Sequence, residues 1–320
     1  MPKTLEEKGI KALKTNKQFF KLYHGLHEPS SSKYLTGVVQ SPRHEYLKAV
    51  DESRLAPRRL KTGQRNTTNL DLHEFSMGDQ YAQALSTSLQ MTKSIETISL
   101  QANRLTDKSL QAITDFLCQN RHVHAVDMSN NSFTSKGMKL FRPVLADACS
   151  TITELHLGHN TLRDRGVQQL CTALEQNSSL KLLDLAKIHM KDAGAVALGK
   201  WLQNPQCHLR ELNVAWNEFR APGGLAVLQG ALANTNLRKL DLSWNGIGSG
   251  SKNTEALDML QQVIRHSMLL HLSLTHNSFT KDALDQIGHA ILQSEYLVAV
   301  HVEQPNEVGH PSFVYASTPD

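Results

Sequence analysis

Nine short phrases of one apolar pattern recur along this chain, and their spacing limits its fold more than any other feature. They begin "LDLHEFSM" at Leu70, "ISLQANRL" at Ile98, "VDMSNNSF" at Val126, "LHLGHNTL" at Leu155 and "LDLAKIHM" at Leu183. "LNVAWNEF" at Leu212, "LDLSWNGI" at Leu240, "LSLTHNSF" at Leu272 and "VHVEQPNE" at Val300 complete the set. Successive starts lie 28, 28, 29, 28, 29, 28, 32 and 28 residues apart. A unit of this length cannot enclose a core alone, so its neighbours must stack into one continuous core. Within each unit, alternation as in "LDLSW" marks a strand with one buried face. Stretches such as "GVQQLCTALEQN" and "GGLAVLQGALANT" then carry apolar residues at helical spacing. A strand followed by a helix in every unit requires parallel strands joined by helical crossovers.

The shared pattern, L-x-L-x-x-N-x-[LIMF], resembles the leucine-rich repeat, and the 28/29 alternation resembles its ribonuclease-inhibitor-like type. The resemblance implies an α/β solenoid, a horseshoe with parallel strands on the concave face and helices on the convex face. It covers 70–304 and about nine strands, counted by the nine phrases. The repeated asparagine is expected to be buried at the strand exit, bonding loop backbone that would otherwise be unpaired. Asn103, Asn131, Asn160, Asn217, Asn245 and Asn277 keep it, while Phe75, Ile188 and Pro305 replace it. Phe75 and Pro305 fall in end units, where atypical residues cap the stack. Ile188 is internal and reads as a tolerated gap.

Outside the repeats, residues 1–69 hold 14 Lys/Arg against 6 Asp/Glu, whereas the whole chain is only +4. We read 1–40 as a basic, partly flexible arm, 41–69 as a helical cap on the first repeat, and 305–320 as a tail. In the cap, Ser41 and Pro42 suit a helix start, and Tyr46, Leu47 and Val50 offer an apolar side. In the tail, Phe313, Val314 and Tyr315 can fold over the last strand. The arm's charge suits an acidic protein surface, with nucleic acid and anionic lipid as weaker matches. The stretch from "EYLKAVDESRLAPRRL" through "NLDLHEFSMGDQYAQAL" is similar to lead-ins of leucine-rich repeat proteins of cilia and flagella, which implies an axonemal setting.

The opening "MPKTLEEKGIKALK" lacks an apolar signal core, and no run approaches the roughly 20 apolar residues of a membrane span. Cys118, Cys149, Cys171 and Cys207 fall at unrelated points of their repeats, so a cytoplasmic chain without a disulfide frame is expected.

Residues between and after the inward-pointing leucines face the concave side, in columns one strand spacing, about 4.8 Å, apart. One column brings together Asp127, Asp184 and Asp241. The next is small in the middle repeats: Gly158, Ala186, Ala215 and Ser243. The third runs His159, Lys187, Trp216, Trp244 and His276, placing two tryptophans side by side with charged neighbours. Rigid aromatic anchors with charges around them suit a protein-binding centre. We therefore take Trp216, Trp244, Lys187, His159, His276, Asp127, Asp184 and Asp241 as the candidate protein-binding set, with the small column as a shallow trough beside the rings. Trp201 lies in a helical stretch and belongs to the core.

No catalytic set emerges. "GIGSGSKNT" (246–254) lacks phosphate-loop spacing and reads as the insertion that lengthens its repeat. His122 and His124 have no third ligand at suitable spacing, so neither a metal nor another cofactor is expected. The sequence supports a non-catalytic interaction scaffold with a protein partner and no small-molecule substrate. The alternative is a GTPase-activating or regulatory protein of the Ran-activator type, using Arg104, Arg163 or Arg220 near strand exits. Against it, such proteins end in an acidic tail and this chain ends "VGHPSFVYASTPD". Ribonuclease inhibition fits less well, since inhibitors of that kind are acidic and cysteine-rich.

Overall fold

Each repeat phrase places its first leucine, or its isoleucine or valine equivalent, at the centre of a short strand with that side chain buried. A computed structural model describes residues 48–51, 68–89, 94–146, 150–302 and the backbone of Ser312–Tyr315. The strands are β1 (Asn69–Asp71), β2 (Thr97–Ser99), β3 (Ala125–Asp127), β4 (Glu154–His156) and β5 (Leu182–Asp184). β6 (Glu211–Asn213), β7 (Lys239–Asp241), β8 (His271–Ser273) and β9 (Ala299–Val302) continue the series. All nine are parallel and ordered in the sheet as in the chain. Register is exact from unit to unit: Leu183 pairs with Leu212 and Leu240 with Leu272. A tenth strand, β10 (Ser312–Tyr315), runs antiparallel to β9 with Tyr315 opposite Ala299. The expected tail thus extends the sheet beyond the nine repeat strands.

Between strands run α1 (Gly78–Leu89), α2 (Asp107–Gln119), α3 (Ser135–Leu145), α4 (Arg163–Ala173), α5 (Asp192–Leu202), α6 (Ala221–Ala233), α7 (Asn253–His266) and α8 (Lys281–Ile291). Their apolar stripes face the strands; in α2 the buried set is Leu110, Ile113, Phe116 and Leu117. One continuous core of buried side chains runs from Leu70 to Val302. Each helix packs chiefly on its sequence neighbours, as a stacked solenoid requires. α5 and α6 come closest. A methyl group at Gly199 would stand 2.1 Å from the carbonyl oxygen of Ala226, so glycine permits that approach. Trp201 is buried in α5, its indole N–H donating to the Leu174 carbonyl at 3.2 Å.

Hydrogen-bond ladders tie the units together. Asn217 is buried, and its amide donates to the carbonyls of Leu185, Val214 and Ala215. Its Oδ1 accepts from the N–H groups of Ile188 and Met190 in the preceding unit. Asn131 serves the unit before it in the same way, accepting from Asn103 and Leu105. Ile188 interrupts this ladder. It is fully buried in the core and offers no amide to the loop of the repeat before. There Arg163 takes a left-handed conformation and donates its N–H to the Ile188 carbonyl at 2.9 Å. The same backbone bond runs from Gly78 to the Asn103 carbonyl and from Gly248 to that of Asn277, so this link between units does not depend on the asparagine side chain.

A second ladder joins helix starts. Asp107, at the start of α2, accepts from both the N–H and the hydroxyl of Thr134, the N-cap of α3. Asp79 does the same for Thr106, and Asp192 takes the N–H groups of Arg220 and Gly223 at α6. The orphan N–H groups of a helix start are thus partly satisfied from the unit before.

At the N-terminal side, Lys48–Asp51 is helical and Val50 is buried against Ala84 of α1. The rest of the expected cap through 67, the basic arm 1–40, and the part of the ciliary lead-in at 45–47 and 52–67 lie outside the described residues. No helix among the described residues is long and apolar enough to cross a membrane.

Candidate protein-binding face

The residue before the conserved asparagine occupies the left-handed region in every described repeat. The φ values are 56° at Glu74 and Ala102, 53° at Asn130, 56° at His159, 53° at Lys187, 57° at Trp216, 55° at Trp244 and 57° at His276. Left-handed backbone costs a non-glycine residue about 1–2 kcal/mol, so something must hold it. The parallel ladder does, because from Glu74 to Trp244 each of these N–H groups reaches a carbonyl of the next repeat. Lys187 donates to Ala215, Trp216 to Ser243 and Trp244 to Thr275, all within 3.0 Å. Inter-repeat bonding therefore turns the chain out of the strand and leaves this side chain facing solvent. The varied residue types gave no sequence signal for the conformation.

At three consecutive exits the solvent-facing groups are rings. Trp216 and Trp244 stack with centroids 3.8 Å apart and planes 10° from parallel. Trp244 and His276 stack at 3.7 Å and 6°. Trp216 remains 50 % exposed and Trp244 39 %. The side-by-side tryptophans expected from the repeat are present, and His276 joins them as a third ring rather than only a flanking charge. Lys187 and His159 continue the exposed row through the two preceding repeats.

The small column lies deeper than expected. Gly158, Ala186, Ala215 and Ser243 are buried and form no open trough beside the rings. In most repeats the side chain two positions earlier also bonds the backbone of this column. Oδ1 of Asp127 accepts the Ser129 N–H, Asp184 that of Ala186 and Asp241 that of Ser243, at 2.9–3.0 Å. Asn213 does the same for Ala215. These side chains brace the strand exits, each through one oxygen.

The concavity runs one column further back. An open groove of about 480 Å3 is lined by His156, Asp184, Asn213, Asp241, Ser273 and His301, together with Glu211, Lys239 and His271 from the position before the first leucine. The sequence columns omitted that position, although strand alternation puts it on the same face. Lys239 pairs with Glu211 at 3.0 Å. His156 lies 3.8 Å from Oδ2 of Asp184, and this carboxylate, aided by Asp127 and Glu154, raises its pKa against the opposing effect of burial.

Arg104 leaves β2, Arg163 follows β4 and Arg220 forms the N-cap of α6; all three are exposed. An intervening strand exit separates each from the next, so they do not form a joint clamp. The 246–252 insertion is a loop with left-handed Gly250 and Lys252, leading into α7. Among the described residues, no three His, Cys, Asp or Glu side chains are grouped to hold a metal. Cys118, Cys171 and Cys207 form no disulfide, and Cys149 lies outside the described residues. Burial pushes the thiols of Cys171 and Cys207 up in pKa.

A family model described as "Leucine Rich repeat" matches residues 119–141, 148–171, 206–228 and 233–250, which include four of the six ladder asparagines: Asn131, Asn160, Asn217 and Asn245. The chain is a leucine-rich repeat protein. Its repeats are of the ribonuclease-inhibitor-like type. Ribonuclease inhibitor of Sus scrofa is 27 % identical over 215 residues, 67 % of this chain and 46 % of that protein. Human NACHT, LRR and PYD domains-containing protein 5 is 26 % identical over 254 residues, 77 % of this chain and 21 % of that protein. This leucine-rich repeat chain thus spans less than half the length of either relative. Among solved structures, one titled leiomodin-1 actin-binding site 2 is a distant likeness, with TM-score 0.40 and 19 % identity over 48 % of this chain and 86 % of that one.

Proposed function

We propose that this leucine-rich repeat protein is a non-catalytic interaction module that binds a protein partner across the solvent face of its sheet, centred on Trp216, Trp244 and His276. The observation that carries this reading is the exposed three-ring stack. Among the described residues, the two tryptophans are the only large apolar side chains exposed at strand exits. Stacking restrains the rings before any partner arrives, so little side-chain freedom is lost on binding. Lys187 and His159 extend the contact row, and Asp127, Asp184 and Asp241 extend the candidate surface beyond the small column, Asp184 and Asp241 lining the groove. The setting we assign is cytoplasmic, with the ciliary or flagellar axoneme as the site implied by the lead-in resemblance.

The test compares the tagged full chain with a Trp216→Asn/Trp244→Asn variant by affinity purification and mass spectrometry from native cells. Asparagine is chosen because Asn130 already occupies the same left-handed position. Circular dichroism should be unchanged. Selective loss of one partner is expected; identical partner sets would remove the ring stack from any binding role.

A further inference from the structure

The covered faces of Trp244 say what kind of group it can meet. Trp216 lies on one face at 3.8 Å and His276 on the other at 3.7 Å. No cation can approach over either face, so Trp244 has only its edge and its indole N–H to offer. Aromatic edges carry the positive end of the ring quadrupole, and an indole nitrogen donates but never accepts. The indole N–H groups of Trp216 and Trp244 have no acceptor among the described residues, and the Lys187 ammonium has no carboxylate partner there.

The row as a whole has the same bias. His159, Lys187, Trp216, Trp244 and His276 include no carboxylate and no side-chain carbonyl. The backbone N–H groups of the first four are already bonded to the next repeat, so a partner meets their side chains. The buried small column separates this row from the aspartates, each of which has one oxygen committed to backbone.

Resting on the proposed function, we infer that the partner segment captured by this row is acidic: an extended stretch whose Asp or Glu side chains meet Lys187 and the edges of Trp216 and Trp244. Carboxylate oxygens supply the acceptors these donors lack. A basic segment finds no open face on Trp244 and is repelled by Lys187.

The experiment is selection of a random-peptide phage library on the full-length wild-type chain, with counter-selection on Trp216→Asn/Trp244→Asn. Recovered peptides are then titrated, as fluorescein-labelled probes, against wild type and Lys187→Glu. The expected result is tryptophan-dependent peptides enriched in Asp and Glu that bind Lys187→Glu roughly tenfold more weakly and lose affinity as salt rises. Tryptophan-dependent peptides of neutral or basic composition would overturn the acidic inference and leave the interaction module standing. Recovery of peptides indifferent to both tryptophans would overturn the module centred on the rings and the inference with it.

Discussion

Trp244 is held between Trp216 and His276, with ring centroids 3.8 and 3.7 Å away and all three planes within 10° of their neighbours. The middle ring takes part in both contacts. Removing it should cost more than removing either end. An aromatic pair is worth about 0.5–1.5 kcal/mol beyond area burial. Trp244→Asn is therefore expected to lower unfolding free energy by about 2 kcal/mol and Trp216→Asn by about 1, as read from urea midpoints. Equal losses would mean that the rings do not share one stack in solution.

Asn217 bridges two units, donating to Leu185, Val214 and Ala215 and accepting from Ile188 and Met190. Alanine there strands several buried backbone groups, each costing about 1–3 kcal/mol. We expect a total loss near 3 kcal/mol and faster hydrogen exchange at Ile188 and Met190. Unchanged exchange at those two amides would contradict the bridging role.

Asp107 supports the next helix start through Thr134. Asp107→Ala should cost about 1–2 kcal/mol, in the range of a lost N-cap, and Asp107→Asn should recover part of it by keeping one acceptor. Thermal unfolding of the three proteins measures this; no difference between the alanine and asparagine variants would argue against the cap.

His156 has its pKa raised above the ordinary 6.5, chiefly by Asp184. A raised folded value stabilises the charged form. That contribution is complete below the unfolded pKa and disappears as pH climbs through the folded one. Wild type should therefore lose its stability advantage over His156→Gln as pH rises above 6.5. Ring signals in an NMR titration should place His156 above that value and move it down in Asp184→Asn. An unmoved titration in that variant would rule out Asp184 as the cause.

Much of the fold was legible because one apolar alternation and one asparagine recur within a nearly constant period. Strand centres, buried leucines, the asparagine ladder and the neighbouring tryptophans all follow from that repetition. What escaped were relations between units. Asp107 bonds Thr134 and Asp79 bonds Thr106, each in the next unit; nothing in an isolated repeat shows that these carboxylates are engaged. The depth of Ala186 and Ala215, and the groove floor contributed by Glu211 and Lys239, likewise depend on how adjacent strands pack. β10 carries none of the repeat pattern; its apolar residues suggested a cover for the last strand, and the pairing with β9 makes it a further strand of the sheet.

From Glu74 to Trp244, the left-handed residue at each strand exit gives the fold its backbone N–H and leaves its side chain outside the core. Glu74, Ala102, Asn130, His159, Lys187, Trp216, Trp244 and His276 all fill the same conformational slot. Substitution there can alter recognition one repeat at a time while the architecture stays put. Such a row is a writable surface on a repeated frame, since a new side chain there leaves the backbone bonds between units in place.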